Sequence, residues 1–289
     1  MNFANYYTIL TGEQPLRQGD VAGMSAQPSS RATLEQLRPV VTEAASGGDA
    51  RLLRDFFLKF DCLNLVRLLR DPDTEELDAR GTLDRQQLTE LVNGERGTGW
   101  GVEDVPDFLK GFADEYRSKA GSQGYFADDD ILVQYYRYVM QTRNSELAEW
   151  YTLNFNLTNV MTALVARRQG WTVADYVRGE GDFCDALRTS AAHDFGLSAT
   201  WPYVADIIKI ADETDPVAKE KKLDAFKWLW LDEHTFAEPF DIVALIAYLA
   251  RVEMLDRWAL LDVEQGRERF TQIIEDLRGE AQVPEEFRR

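Results

Sequence analysis

The spacing of the apolar residues is the feature that most limits how this chain can fold. Apolar side chains recur every three or four residues, whereas the two-residue alternation typical of strands is nearly absent. One helical face is formed by Leu53, Phe56, Phe60 and Leu63. A second face extends over about five turns near the other end of the chain and is formed by Ile242, Leu245, Leu249, Val252, Leu255 and Ala259. The pattern predicts an all-α fold, with residues 6–10 as the best candidate for a strand.

Several local signals predict where helices begin. Thr33 and Gln36 precede an apolar series with the spacing of a capping box. Thr172 is predicted to cap a helix over residues 173–177. The acidic run 128–130 suits a first helical turn, where negative charge meets the positive end of the helix dipole. The helical pattern is interrupted at residues 14–30, 71–82, 93–101, 119–124, 179–181, 198–202 and 238–239. None of these is a long low-complexity linker, so we expect a single helical body over residues 1–289.

Composition excludes several classes of function. The 289 residues include 32 Lys and Arg against 50 Asp and Glu, which gives a formal net charge of -18. This acidity argues against a nucleic-acid partner and against a polybasic membrane anchor, because both depend on Lys and Arg. The longest wholly apolar run, residues 242–250, is far shorter than the ~20 residues that span a bilayer. The first residues lack the basic start of a secretory signal, so we expect a cytoplasmic protein with Cys62 and Cys184 as buried free thiols.

The sequence lacks the motifs of common catalytic and metal sites. Neither His193 nor His234 has a Glu three residues earlier, and His-Glu-x-x-His and paired Cys-x-x-Cys motifs are missing. The glycine-rich run 97–101 lacks the Gly-Lys-Ser/Thr of a phosphate-binding loop. No Ser/His/acid or Cys/His set can be assembled. We therefore expect no catalytic residues, no cofactor and no metal site.

A short pattern occurs twice in the chain. Residues 60–66, Phe-Asp-Cys-Leu-Asn-Leu-Val, and residues 155–161, Phe-Asn-Leu-Thr-Asn-Val-Met, share Phe, Asp or Asn, two residues, Asn and two apolar residues. Asn64 and Asn159 fall in mid-helix, although Asn is a poor helix former because its side chain competes for backbone groups. One interpretation is a helix contact used twice, with each amide bonded to another element. The alternative is coincidence between two amphipathic helices.

The first copy, with the Arg-Leu-Leu-Arg that follows it, resembles the Asp-x-x-Asn-aliphatic helices of the C-type central-stalk protein of A/V-type rotary ATPases, whose eukaryotic form is designated d. The second copy resembles the corresponding helix of that family's second repeat. Residues 247–258 resemble its third-repeat helix, although Trp258 stands where the family more often has Asn. The whole chain is more similar to a divergent bacterial branch associated with V-type ATPase genes, through residues 5–10, 57–61, 226–232, 240–242 and 257–262. Residues 71–124 carry no clear resemblance.

The resemblance implies a funnel of helices in a pseudo-threefold arrangement, with approximate repeat units 1–125, 126–200 and 201–289. It implies a non-catalytic central-stalk component that couples the rotor shaft to the membrane ring, peripheral to the inner membrane on its cytoplasmic side. The expected partners are the shaft subunits and the ring, with no nucleic acid and no insertion into lipid. The repeat-core residues, with a structural role, are Asn64, Asn159 and Trp258.

Two interpretations remain beside the resemblance. The chain fits a helical adaptor or scaffold unrelated to rotary ATPases, because every physical observation above holds without the family likeness. An enzyme that uses clustered carboxylates and a metal also stays open, although no carboxylate pair stands out among the 50 acidic residues.

Overall fold

Eleven α-helices make up the structure, a computed structural model that describes residues 32–94, 105–122, 125–235 and 241–260. No strand occurs within these ranges, so the all-α prediction is confirmed, whereas the strand candidate at residues 6–10 lies outside them. The helices are α1 (Leu34–Ala44), α2 (Gly47–Arg70), α3 (Arg85–Asn93), α4 (Asp107–Lys119), α5 (Ala127–Val139), α6 (Ser145–Gln169), α7 (Val173–Tyr176), α8 (Asp182–Thr189), α9 (Val204–Ala211), α10 (Pro216–Thr235) and α11 (Ile242–Leu260). In the part of the chain that the structure describes, no helix combines the length and apolarity needed to span a bilayer.

The helix starts follow the local signals closely. Thr33 Oγ1 accepts a hydrogen bond from the Gln36 backbone N–H at 3.4 Å, and Gln36 Oε1 accepts one from Thr33 N–H at 3.0 Å, which confirms the capping box. The acidic run 128–130 lies in the first turn of α5, as predicted. Thr172 occupies the N-cap position of α7, but its side chain makes no capping hydrogen bond. This single turn is instead closed by the backbone, from Asp175 N–H to the Thr172 carbonyl at 3.0 Å.

Helix α2 lies at the centre of the first part of the fold. Because its apolar stripe is broad, α2 packs against five other helices: α1, α3, α4, α5 and α11. Phe56, Phe57 and Leu65 are almost completely buried, and each such side chain contributes roughly 1.5–3 kcal/mol on leaving water. Both cysteines are buried and free, as expected.

The second long helix, α6, connects the middle of the chain to its last third. It contacts α5 and α7 to α9. The rings of Trp150 on α6 and Trp230 on α10 lie 5.6 Å apart. Helix α11 packs on α10 and returns to α1 and α2, where Asp256 accepts a hydrogen bond from the Leu34 N–H at 2.7 Å. One continuous cluster of buried side chains extends from Leu34 to Met254.

Candidate functional site: two asparagine contacts and a charged junction

Asn64 binds both polar groups of one distant residue. Its Oδ1 accepts from the Asp78 N–H at 2.7 Å, and its Nδ2 donates to the Asp78 carbonyl at 2.9 Å. Asp78 lies in residues 71–84, which return from the end of α2 to the start of α3 and form the first return segment. Asn64 is only 2% exposed, so this pair of bonds fastens the segment to α2 in surroundings that exclude most water.

Asp61 fastens the same segment one helical turn earlier. The side chain is completely buried, and its carboxylate accepts from the Leu83 N–H and the Thr82 hydroxyl, both at 2.9 Å. Burial raises the pKa of Asp61 to about 6, while these hydrogen bonds and the charge of Arg38 act in the opposite direction. Residues three apart lie on the same helix face, so Asp61 and Asn64 act on the segment together.

Gly81 lies close against two side chains of α2. A Cβ atom at this position would lie 2.5 Å from Asp61 Oδ1 and 3.0 Å from Asn64 Nδ2. Real Cβ atoms do not approach other atoms so closely, and therefore only glycine lets the backbone reach both side chains.

Asn159 makes a related contact in α6. Its Oδ1 accepts from the Arg178 N–H at 2.9 Å, while its Nδ2 donates to the Phe155 carbonyl of its own helix at 3.3 Å. Arg178 belongs to residues 177–181, which precede α8 and form the second return segment. Gly179 of that segment has φ +89°, and a Cβ there would lie 2.4 Å from the ring of Phe155. Both repeat asparagines therefore hold the backbone of a segment that leads into a short helix.

Trp258 has a different partner from the two asparagines. Its indole N–H donates to Asp224 Oδ2 on α10 at 2.6 Å, and Arg257 donates to the same oxygen at 2.5 Å. Asp224 is 2% exposed, so these donors compensate a buried carboxylate. An indole can donate but not accept, whereas an amide does both. The contact of Trp258 therefore differs in kind from those of Asn64 and Asn159, because an indole cannot bind both the N–H and the carbonyl of a peptide unit.

Charged side chains of α2, α10 and α11 meet where the last helices pack on the first. We call this cluster the charged junction; its members are Lys59, Asp224, Lys227, Glu253 and Arg257. Lys59 Nζ lies 2.5 Å from Glu253 Oε2. Burial lowers the pKa of Lys227, and the negative charges of Asp224 and Glu253 oppose that effect. Lys59 of α2 pairs with Glu253 of α11, and Arg257 of α11 pairs with Asp224 of α10, so the ion pairs of the junction connect α11 to both other helices.

A second buried acid on α2 was not predicted from the sequence. Asp55 is 9% exposed, and burial raises its pKa to about 6, opposed by a hydrogen bond from Tyr138 of α5. Burial and the charge of Asp55 raise the pKa of Tyr138 to about 12. The signal in the sequence was an acid inside the broad apolar face of α2, directly before Phe56. A second sequence signal was the glycine in the segment after each repeat, Gly81 and Gly179, where the backbone lies close to a side chain of the repeat.

An open groove of about 570 Å³ lies between α4 and α5. It is lined by Asp107, Phe108, Glu115, Asp130, Val133, Gln134, Arg137, Tyr138 and Gln141. Its three carboxylates each pair with a lysine of α4, for example Glu115 with Lys119 at 2.6 Å. Among the described residues, no group of three or more His, Cys, Asp and Glu side chains is placed to hold a metal ion.

Comparison with known proteins identifies the family. A family model described as a protein of unknown function, DUF2764, matches residues 3–281, almost the full length of the chain. No curated protein and no solved structure matches the chain. Because the family model spans nearly the whole chain, including both return segments and the charged junction, the chain belongs to the DUF2764 family.

Proposed function

We propose that this protein is a non-catalytic central-stalk component of a bacterial A/V-type rotary ATPase, related to the C-type protein of that stalk, and that it couples the rotor shaft to the membrane ring. The observation that carries the proposal is the repeated asparagine contact. In α2 and again in α6, a buried mid-helix Asn binds the backbone of a return segment that leads into a short helix. A contact used twice in this way supports an origin of the chain from repeated helical units.

The packing between the three proposed units also supports this function. Helix α2 of the first unit contacts α5 of the second, α6 of the second contacts α9 of the third, and α11 of the third contacts α1 and α2. Each unit thus touches the other two, as a funnel with pseudo-threefold arrangement requires. Units 1–125, 126–200 and 201–289 would then surround the foot of the shaft.

A protein that transmits torque must resist deformation within each unit. Close-packed interiors have low compressibility and transmit strain, and the buried cluster from Leu34 to Met254 provides such an interior. The return segments are fastened to their helices by buried polar bonds rather than left as free loops. Rotation of the shaft would therefore move the units as rigid bodies. The partners in this proposal are the shaft subunits and the ring, on the cytoplasmic side of the inner membrane.

Purification from the native cell tests the proposal. The full chain, tagged at its own chromosomal locus, should co-purify in mild detergent with the shaft and ring subunits of a rotary ATPase. Inverted membrane vesicles from a deletion strain should hydrolyse ATP without pumping ions, and the intact gene should restore pumping. A solitary monomer in native extracts, together with unchanged ATP-driven pumping in the deletion strain, would contradict the proposal.

A helical adaptor unrelated to rotary ATPases is the second candidate. Trp171 and Tyr176 stack at the end of α6 with ring centroids 5.1 Å apart, and they are 51% and 38% exposed. Exposed aromatic side chains are enriched where proteins bind each other. Stoichiometric co-purification with partners that are not ATPase subunits, lost in Trp171→Ala, would favour this candidate over the first.

A further inference from the structure

The two return segments differ at one buried position of the helix that holds them. Asp61 precedes Asn64 by one turn, and Asn156 stands in the same place before Asn159. Both side chains are buried, at 0% and 8% exposed. A carboxyl group titrates in the acidic range and an amide does not.

Asp61 is also the side chain on which the end of the first return segment depends. Its two oxygens accept from Leu83 and Thr82, and Gly81 brings the backbone against it. Asn64 holds the middle of the segment through its two bonds to Asp78, and the other polar contacts come largely from exposed side chains, such as Arg85, which donates to the Pro72 carbonyl at 3.0 Å. Segments with few buried apolar contacts open at lower free energy than the core. Residues 71–84 can therefore open while α2 stays folded.

We propose that the first return segment is a proton-sensitive element, in which local opening from α2 hydrates Asp61 and releases its proton. The segment is held more tightly at acidic pH than at neutral pH. The second return segment, held beside Asn156, lacks this response. The inference is independent of the rotary-ATPase function proposed above.

The direction of the pH response follows from the two environments of the Asp61 carboxyl group. In the closed segment burial raises the pKa of Asp61 to about 6, and in the open segment water returns it towards its ordinary 3.8. Between these values the closed form carries the proton and the open form does not. The opening equilibrium constant of the segment then rises roughly tenfold from pH 5 to pH 7 and levels off above that.

The other charged groups around the segment modulate this response. They are Arg38 of α1, Arg67 of α2, Arg85 of α3, Glu253 and Asp256 of α11, which act on Arg80, and, within the segment, Asp78, Arg80 and the exposed carboxylates of residues 71–84. The charge of Arg38 favours the ionised form of Asp61 but offsets only part of the effect of burial. Arg80 pairs with Asp78 at 2.6 Å and holds the pKa of that carboxyl below its ordinary value. Buried Cys62 stays a neutral thiol because burial raises its pKa.

Native-state hydrogen exchange of the full chain at pH 5, 6 and 7 tests the proposal, after correction for the intrinsic exchange rate. The reporters are the Asp78 and Leu83 amides, which donate to Asn64 and Asp61. Their opening constants should rise roughly tenfold between pH 5 and pH 7. The Arg178 amide, which donates to Asn159 in the second segment, serves as the internal control and should show no such rise.

Two variants test whether Asp61 causes the pH dependence. Asp61→Asn should remove the pH dependence at Leu83, whereas Asp55→Asn, on the same helix but bonded to α5, should leave it in place. If Asp61→Asn fails to fold, Thr82→Val removes the hydroxyl that donates to Asp61 and should move the response to higher pH. The proposal is overturned by an equal pH response at Arg178, by an unchanged response in Asp61→Asn or Thr82→Val, or by exchange of Leu83 only with global unfolding.

Discussion

The amide of Asn64 replaces the hydrogen bonds that water would otherwise make to the peptide groups of residue 78. We expect Asn64→Leu to lower the free energy of unfolding by about 1–3 kcal/mol, because the Asp78 N–H and carbonyl lose their partners in a part-buried position. Urea unfolding followed by circular dichroism measures the effect. Asn159→Leu is the matched variant and should cost less, since only one of its two bonds leaves its own helix. An Asn64→Leu protein as stable as the wild type would show that the repeated asparagine is incidental.

Gly81 and Gly48 form a pair in which the same substitution should have opposite effects. Gly81→Ala should destabilise the protein by about 1–3 kcal/mol, because the new Cβ would lie 2.5 Å from Asp61 Oδ1. Gly48→Ala meets nothing within 4 Å in the first turn of helix α2, so it should stabilise by about 0.5 kcal/mol through helix propensity. Thermal unfolding of both variants measures the difference. Equal effects would mean that the first return segment does not approach α2 as closely as described.

Some helix boundaries could be predicted from local sequence signals, and others could not. The capping box at Thr33 and the acidic start of α5 were predictable, because each depends on residues within one turn. The breaks after α2, α3, α4 and α7 fall at or within a few residues of where the helical pattern was expected to stop, whereas α8 ends at Thr189, nine residues before the expected break at 198–202. The boundaries at residues 45–46 and 140–144 were not predicted. At the second, Asn144 accepts from the Leu147 N–H at 2.9 Å, a cap that the surrounding apolar pattern concealed.

Asp224 is the buried carboxylate in the contact between α10 and α11, which the exposed acids Asp232 and Glu220 also join through Arg251 and Arg257. Trp258→Phe keeps most of the ring but removes the indole donor to Asp224, so we expect a loss of roughly 1 kcal/mol in the free energy of unfolding. The loss is limited because Arg257 still donates to the same oxygen. Urea unfolding measures it, with Trp171→Phe at an exposed position as the control. A Trp258→Phe protein no less stable than the control would argue that the indole bond is unimportant for this helix pair.

The all-α class of the whole chain was predictable because apolar spacing is a local property that repeats in every helix. The contact of α11 with α1 and α2 could not be predicted in this way. It depends on pairs such as Lys59 and Glu253, which are 194 residues apart in the sequence. Asp61 belongs to the repeated pattern, but its burial and its bonds to residues 82 and 83 depend on the path of the chain after α2, which the sequence does not give. Asn64, Asn159 and Trp258 were singled out from the sequence as repeat-core residues, but the partners of the two amides and of the indole required the structure.

The stability of the entire protein should depend on pH through Asp55 and Asp61. Burial raises the pKa of both to about 6, so the folded state holds these protons more tightly than the unfolded chain. This stabilisation is present at acidic pH and is lost as the pH rises through about 6. Between pH 4.5 and pH 7 we expect a loss of about 2 kcal/mol for each carboxyl in the free energy of unfolding.

Urea titrations at constant ionic strength measure this dependence. The double variant Asp55→Asn with Asp61→Asn should flatten the profile across the same interval, because amides do not titrate. Asp206→Asn with Asp215→Asn removes the same charge from exposed positions and should leave the profile unchanged. A wild-type protein that gains stability between pH 5 and pH 7 would contradict the raised pKa values.

The hydrogen bond from Leu34 to Asp256 spans 222 residues and has a consequence for the synthesis of the chain. Ribosomes add about 5–20 residues per second, so roughly 10–40 s pass between translation of the two partners. During that interval the surfaces of α1 and α2 that α11 later covers remain open to water. A nascent chain of this protein therefore carries an unfinished apolar surface until its last described helix emerges, and chaperones have that long to bind it.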